Sequence, residues 1–201
     1  MSNYECSLQG IIIGQEQKDR LIQRLVGICG NDSLVDLFEH EIIFTPSTQT
    51  PVGPARNDDV VLRVQYLCMQ GNPEPQRARA VTVRPNARVQ LSGDVFRFMR
   101  SLGYSYSFEV VRKGHLFAFD KTLKITVSQL YKLKTKVDVS SAVHFGREDM
   151  WVIEATSLLV PQEQVNQMAE HLGKFKNSLL GFVELEYVDN RALQNRVPYS
   201  T

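Results

Sequence analysis

The stretch from Leu102 to Leu133, LGYSYSFEVVRKGHLFAFDKTLKITVSQLYKL, constrains the fold more than any other. Tyr104 to Lys113 is rich in aromatic and β-branched residues, which suit a pleated, half-buried surface. Leu116-Phe117-Ala118-Phe119 is a short apolar run, and Asp120-Lys121 is a weak turn signal. Leu123, Ile125, Val127, Gln129, Tyr131 and Leu133 then share one side of a strand, with Lys124, Thr126, Ser128, Leu130, Lys132 and Lys134 on the other. Such a period of two predicts one buried face and one mostly wet face. Gly114 lies between two strand-like runs, where a bend or bulge needs no Cβ. The expected structure is a long antiparallel hairpin or a kinked three-strand meander.

The flanking sequence predicts further strands and three helices. Tyr4 to Ile13 reads as a strand that becomes buried on both faces, ended by Gly14. Gln15 to Cys29 reads as a helix with Leu21, Leu25, Ile28 and Cys29 in one stripe, Ile22 and Val26 beside it, and a stop at Gly30-Asn31. Ser33 to Phe38 suggests an extra helical turn, and Phe38 to Thr45 a strand. Thr45 to Asp59, with Pro46, Pro51, Gly53 and Pro54, is expected to be a mobile loop within one domain. Val60 to Met69 is a predicted strand, and Arg79 to Arg84 its partner. Ser92 to Leu102 reads as a second helix capped by Ser92 and stopped by Gly103. Val137 to Phe145 is a poorly alternating edge strand, and Met150 to Val160 a clear one. Pro161 opens a third helix with Val165, Met168, Leu172 and Phe175 in its stripe and Gly181 as stop. Phe182 to Val188 is the last predicted strand, and Asp189 to Thr201 a loose tail.

Strands dominate, and successive ones can pair as hairpins. The expected fold is α+β, β-dominated: an antiparallel β-barrel with about three flanking α-helices, formed by residues 1–201 as a single domain. Composition sets limits. A hydrophobic content of 43% supports a core, and 22% charged residues suit a soluble surface. A net charge of +1 supplies no global field for nucleic acid, membrane or acidic ligands. No apolar run reaches membrane-span length, and the N-terminus does not read as a signal peptide. Cys6, Cys29 and Cys68 form an odd count without CxxC spacing, as expected in a reducing cytoplasm or nucleus.

Little in the chain has the form of a catalytic motif. There is no HExxH, no GxSxG and no glycine-rich phosphate loop between a strand and a helix. His40 sits between Glu39 and Glu41, whose side chains belong to the opposite strand face, so it reads as structural. His115 is placed to orient a bend beside Gly114, while His144 and His171 read as surface residues. The three thiols have apolar neighbours and read as inert. Arg77, Arg79, Arg84 and Arg88 form one basic group, and Lys121, Lys124, Lys132, Lys134 and Lys136 another. A nucleic-acid groove would need them interleaved with exposed aromatics on one surface; with a net charge of +1 they read as solvated or edge-protecting faces.

Several stretches together resemble one family: Tyr4–Ile12 (YECSLQGII), Leu21–Asn31 (LIQRLVGICGN), Leu37–Phe44 (LFEHEIIF) and above all Phe98–Leu133, with the TSLLVP segment and the helix after it. In order and spacing these are similar to subunit 18 of Mediator, the coactivator complex of RNA polymerase II, in its fungal form. The resemblance implies a non-enzymatic nuclear scaffold in the Mediator head module, with no cofactor. It implies a β-barrel with flanking helices that pairs with Mediator subunit 20. A helix near the C-terminus of Mediator subunit 8 would tether it, and contact with other head subunits and RNA polymerase II would be indirect.

The same barrel type resembles the tunnel triphosphatases, which hold a divalent metal with alternating inward glutamates. Here Glu5 is followed on its face by Ser7 and Gln9, and Glu154 is flanked by Val152 and Thr156, so that set looks broken. Glu184 and Glu186 on the last strand are the remaining candidates. For partner binding the candidate anchors are Phe117 and Phe119, beside Gly114, and Tyr131 on the long strand; the competing reading places all three in the core.

Overall fold

The computed structural model describes residues 3–47, 65–75 and 79–188. The strands are β1 (Asn3–Ile13), β2 (Val35–Pro46), β3 (Gln65–Gln70), β4 (Thr82–Leu91), β5 (Tyr104–Phe119), β6 (Leu123–Leu133), β7 (Ala142–His144), β8 (Met150–Ser157) and β9 (Val160–Pro161). The helices are α1 (Gln15–Cys29), α2 (Val95–Ser101) and α3 (Val165–Ser178). The strands pair throughout as antiparallel neighbours in the order β2-β5-β6-β8-β1-β4-β3, with β7 beside β6 and β9 beside β1. The β-dominated α+β class and the three helices are as expected. The described hydrogen-bond path runs open from β2 to β3 and does not close into a ring.

The 104–133 stretch forms the centre of the sheet. β5 and β6 are joined by a tight turn in which Asp120 and Lys121 adopt φ of +51° and +57°. β5 does not break at Gly114: it pairs continuously with both β2 and β6 through that position. The glycine is required for a close approach instead. A Cβ there would meet the Val127 carbonyl oxygen and lie 2.8 Å from Ser128 Cα, both backbone atoms that cannot swing away. Gly114→Ala is therefore expected to cost about 1–3 kcal/mol, read as a lower urea midpoint. An unchanged midpoint would refute the close-approach account.

One side of the sheet carries the core. Cys6, Leu8 and Ile12 of β1, Leu123, Ile125 and Val127 of β6, and Ile153 and Ala155 of β8 are buried there. Leu21 and Leu25 of α1, and Val165, Leu172 and Phe175 of α3, close over them, as the helical stripes predict. Burying Val165, Leu172 and Phe175 contributes roughly 5–9 kcal/mol gross before ordering costs. The Cys6 thiol points at the Val165 carbonyl, 3.9 Å away, where β1 meets α3.

Other expectations need correction. The chain leaves α1 through a short 3-10 turn at Asn31–Ser33 and is already extended at Val35, so no helical turn reaches Phe38. The partner of β3 is Asn86–Leu91, not Arg79–Arg84. β4 changes partner at Pro85: its first residues pair with β1 and its later ones with β3. Asp94, not Ser92, caps α2, by accepting from the Arg97 N–H at 2.9 Å. Val137–Phe145 supplies only the short β7 after a 3-10 turn. Pro161 leads into a 3-10 turn at Gln162–Gln164 before α3, which ends at Ser178. Phe182–Val188 is no ladder strand: it meets β1 through a single Gln9–Glu186 bridge, with Val183 and Leu185 in the core. Thr45 and Pro46 belong to β2, while most of the predicted loop and the predicted tail lie outside the described residues.

Candidate functional site

The side of the sheet away from the helices is polar. Alternation places Glu5 and Gln9 of β1, Arg84 and Asn86 of β4, Glu154 of β8, Lys124, Thr126 and Ser128 of β6, Arg112 of β5, and Glu39 and Glu41 of β2 on it. Its ion pairs show how far the sheet curls. Lys124 pairs in register with Ala118 and Glu39 with Arg112, positions six residues apart on β5. In a flat sheet they would lie about 20 Å apart along the strand. Yet Lys124 Nζ sits 2.6 Å from Glu39 Oε1. Arg112 likewise reaches diagonally to Glu154 Oε2 at 2.6 Å, with Glu41 3.6 Å from its Nε. The polar faces therefore meet across a concave interior.

That interior pairs several of its own charges. Lys124 and Arg112 hold carboxylates, and Gln9 donates to Glu154. Glu5 is the exception: it accepts from the Asn86 amide at 3.1 Å but has no cation within ion-pair distance among the described residues. Burial, and then the neighbouring Glu154 charge, push the Glu5 carboxyl above its ordinary value near 4.5. A raised folded-state pKa means that ionised Glu5 opposes folding, and that the penalty develops as pH climbs out of the carboxylate range. Glu5→Gln is thus expected to raise the urea midpoint at pH 7, with the gain shrinking towards pH 4.5. A lower midpoint at pH 7 would refute this. Asn86 Oδ1, Thr126 Oγ1 and Ser128 Oγ are buried here without a partner. No group of three carboxylate, histidine or cysteine side chains is arranged to hold a metal among the described residues. Glu184 and Glu186 are exposed, Glu186 lying opposite Gln9.

On the helix side a second cluster surrounds Glu109, whose side chain is 3% exposed. His40 Nε2 lies 2.7 Å from Glu109 Oε2, while the Tyr106 hydroxyl and the Val137 N–H donate to Oε1 at 3.0 and 2.8 Å. Desolvation, reinforced by the bond to Glu109, pushes the Tyr106 phenol up to about 12. Val137 has φ +63°, a strained conformation for a β-branched residue. Glu109 thus pins a strained loop onto the sheet. His40 lies in this buried cluster with Glu109 as its partner, while Glu39 and Glu41 belong to the opposite face, as alternation predicts.

The sequence-predicted anchors separate. Phe117 is 0% exposed and belongs to the core, so in this fold it presents nothing to a partner. Phe119 is half-buried, 5.0 Å from the Phe175 ring and 5.6 Å from His171. Tyr131 is half-buried against His144, with Lys113 over its ring. His171 and His144 are therefore packed rather than free surface residues, and His171 also bonds Thr122. His115, expected to orient a bend, leaves its Nδ1 without a hydrogen-bond partner, 3.8 Å from Asp36 Oδ1. The basic groups do not converge: Arg79 pairs with Glu74, Arg84 donates to the Gly71 carbonyl, Arg88 lies over Tyr66, Lys124 is interior and Lys136 lies over Phe96 and Tyr106. Arg77 lies outside the described residues. Burial pushes the Cys6 and Cys29 thiols up to about 11, which keeps them protonated and inert.

Two apolar surfaces escaped sequence reasoning. Beyond β1, β3 and the end of β4 form a two-stranded ribbon with Leu67, Met69, Ala87, Val89 and Leu91 on one face. Where β5 outruns β6 there is a cleft of about 370 Å3, lined among others by Phe108, Val110, Leu130, Lys132, Leu133 and Phe145. Phe108 and Phe145 are 54% and 56% exposed there. The only sequence signal was apolar residues at positions that alternation assigns to the polar side.

A curled antiparallel sheet covered by helices on one side, with ion pairs in its interior and exposed apolar side chains among the described residues, defines a β-dominated α+β protein. The comparisons carry this further. The chain belongs to the Med18 protein family, whose model matches residues 55–196. The Mediator of RNA polymerase II transcription subunit 18 of Drosophila melanogaster is 28% identical over 203 residues, spanning 96% of this chain and 89% of that protein. The Schizosaccharomyces pombe subunit is 27% identical over 128 residues, 61% of each. Both animal and fungal members are among the relatives. A chain in the structure of the Schizosaccharomyces pombe Mediator head module superposes with TM-score 0.73 at 19% identity, over 92% of this chain and 98% of that one. The PH1819 protein from Pyrococcus horikoshii OT3 shares the fold more distantly, with TM-score 0.56 at 16% identity over 96% of this chain and 99% of that one.

Proposed function

We infer that this chain is a non-enzymatic scaffold subunit of Mediator that supports RNA polymerase II transcription in the nucleus through protein–protein contacts. The family match over residues 55–196 carries this reading. The likeness to a chain of the fission-yeast head module and the uncovered apolar surface agree with it. Within the interior Lys124 and Arg112 are held by Glu39 and Glu154, which agrees with a scaffold rather than a phosphate-binding tunnel.

Finer features of this reading are proposals. Residues 1–201 act as one domain around one core. The sheet closes further into a barrel by approach of β2 to β3, a closure favoured by the curl that already brings Lys124 to Glu39 and Arg112 to Glu154. The partners are Mediator subunit 20, in a heterodimer, and a C-terminal helix of subunit 8. Phe119 and Tyr131, half-buried, are the anchors that remain available at the surface.

The test is assembly. Tagged at native levels, the chain is expected to co-purify with other Mediator subunits, and co-expression with a subunit 20 partner is expected to give a stable heterodimer. Recovery free of all Mediator subunits would overturn the scaffold reading. A complex lacking subunit 20 would overturn only the partner assignment.

A further inference from the structure

Beyond the Val110–Lys132 pair, β5 and β6 separate. β6 ends at Leu133 and the chain turns away through a 3-10 segment into β7, while β5 extends to Tyr104 beside β2 alone. Alternate residues of a strand direct their N–H and C=O groups to either side. Over Tyr104–Glu109 the groups turned away from β2 meet no strand among the described residues. Glu109 holds the Val137 N–H on the opposite face, so the connecting loop is fastened away from Phe108. The result, among the described residues, is a strand edge without a partner strand, bordering the cleft that contains Phe108, Leu130, Leu133 and Phe145.

We propose that this cleft is a strand-addition site: an extended segment of a partner subunit pairs with β5 along Tyr104–Glu109, seats apolar side chains between Phe108 and Phe145, and sets a carboxylate against Lys132. The proposal rests on the scaffold reading above and names the kind of contact the scaffold makes. A bare edge selects an extended occupant, because only another strand supplies the missing hydrogen bonds at regular spacing. The charge selects an acidic one. Arg112 and Lys124 each hold a carboxylate, whereas Lys132 in the cleft has none within ion-pair distance among the described residues, and Lys134 follows two residues on. Exposed phenylalanines flanking the slot supply the desolvated centre that such interfaces need.

The test uses the chain within its co-purified Mediator complex and, separately, alone. Hydrogen–deuterium exchange is expected to show that the Tyr104–Glu109 amides turned away from β2 exchange readily in the free chain and several-fold more slowly in the complex. Lys132→Glu is expected to weaken retention in the complex about tenfold and Lys132→Arg to preserve it. Phe108→Asp should release the chain without lowering its urea midpoint, since that ring is already exposed. A complex that forms while these amides exchange as in the free chain overturns strand addition and leaves the scaffold function standing. So does retention unaffected by Lys132→Glu. A chain that joins no complex overturns the scaffold reading, and this inference falls with it.

Discussion

Glu109→Ala is expected to lower the stability of the chain by about 3–5 kcal/mol, the usual cost of removing one partner from a buried, hydrogen-bonded charge cluster. The substitution strands three groups at once. The His40 ring, the Tyr106 hydroxyl and the Val137 N–H all lose their acceptor at a site whose side chain is 3% exposed. It also releases the strained Val137 backbone, so the connection between β6 and β7 is expected to loosen. Glu109→Gln keeps an acceptor for some of these donors, and its loss should fall well below that of the alanine variant. Urea unfolding followed by circular dichroism measures both. Two variants with equal midpoints would show that Glu109 acts by packing alone, and an alanine variant as stable as the parent would remove the cluster from the account.

Phe117→Ala is expected to cost about 3–5 kcal/mol, because it empties a ring-sized volume from a close-packed core. Phe117 lies opposite Ile125 between the sheet and its covering helices and is 0% exposed. The result discriminates sharply from the anchor role that the sequence suggested. An anchor replaced by alanine loses affinity for its partner and little stability; a core ring loses stability whether or not a partner is present. Phe117→Leu should cost less than about 1.5 kcal/mol, since the core keeps most of its volume. A free chain whose urea midpoint is indifferent to Phe117→Ala would contradict the packing described above.

Much of the fold was legible because its signals are local. The β5–β6 hairpin showed in the alternation from Leu123 to Leu133, and α1 and α3 showed in stripes that the structure buries at Leu21, Leu25, Val165, Leu172 and Phe175. What failed was pairing. Asn86–Leu91 rather than Arg79–Arg84 accompanies β3 because β1 already claims the start of β4, a competition between segments distant in sequence. The site was less legible than the fold. Glu109 looked like one charged residue among several on a strand, and the cleft arises from the unequal lengths of β5 and β6.

By itself the sequence determined which residues of each strand share a face, where helices cover the sheet and that no local catalytic motif is present. Tertiary structure alone decided that the polar faces would curl inward until Lys124 met Glu39 and Arg112 met Glu154. It also decided that Phe117 would be sealed while Phe108 stayed open. The reason is physical. Alternation follows from the geometry of one strand, whereas curvature, partner choice and strand overhang follow from the competition of many strands for the same edges and the same core.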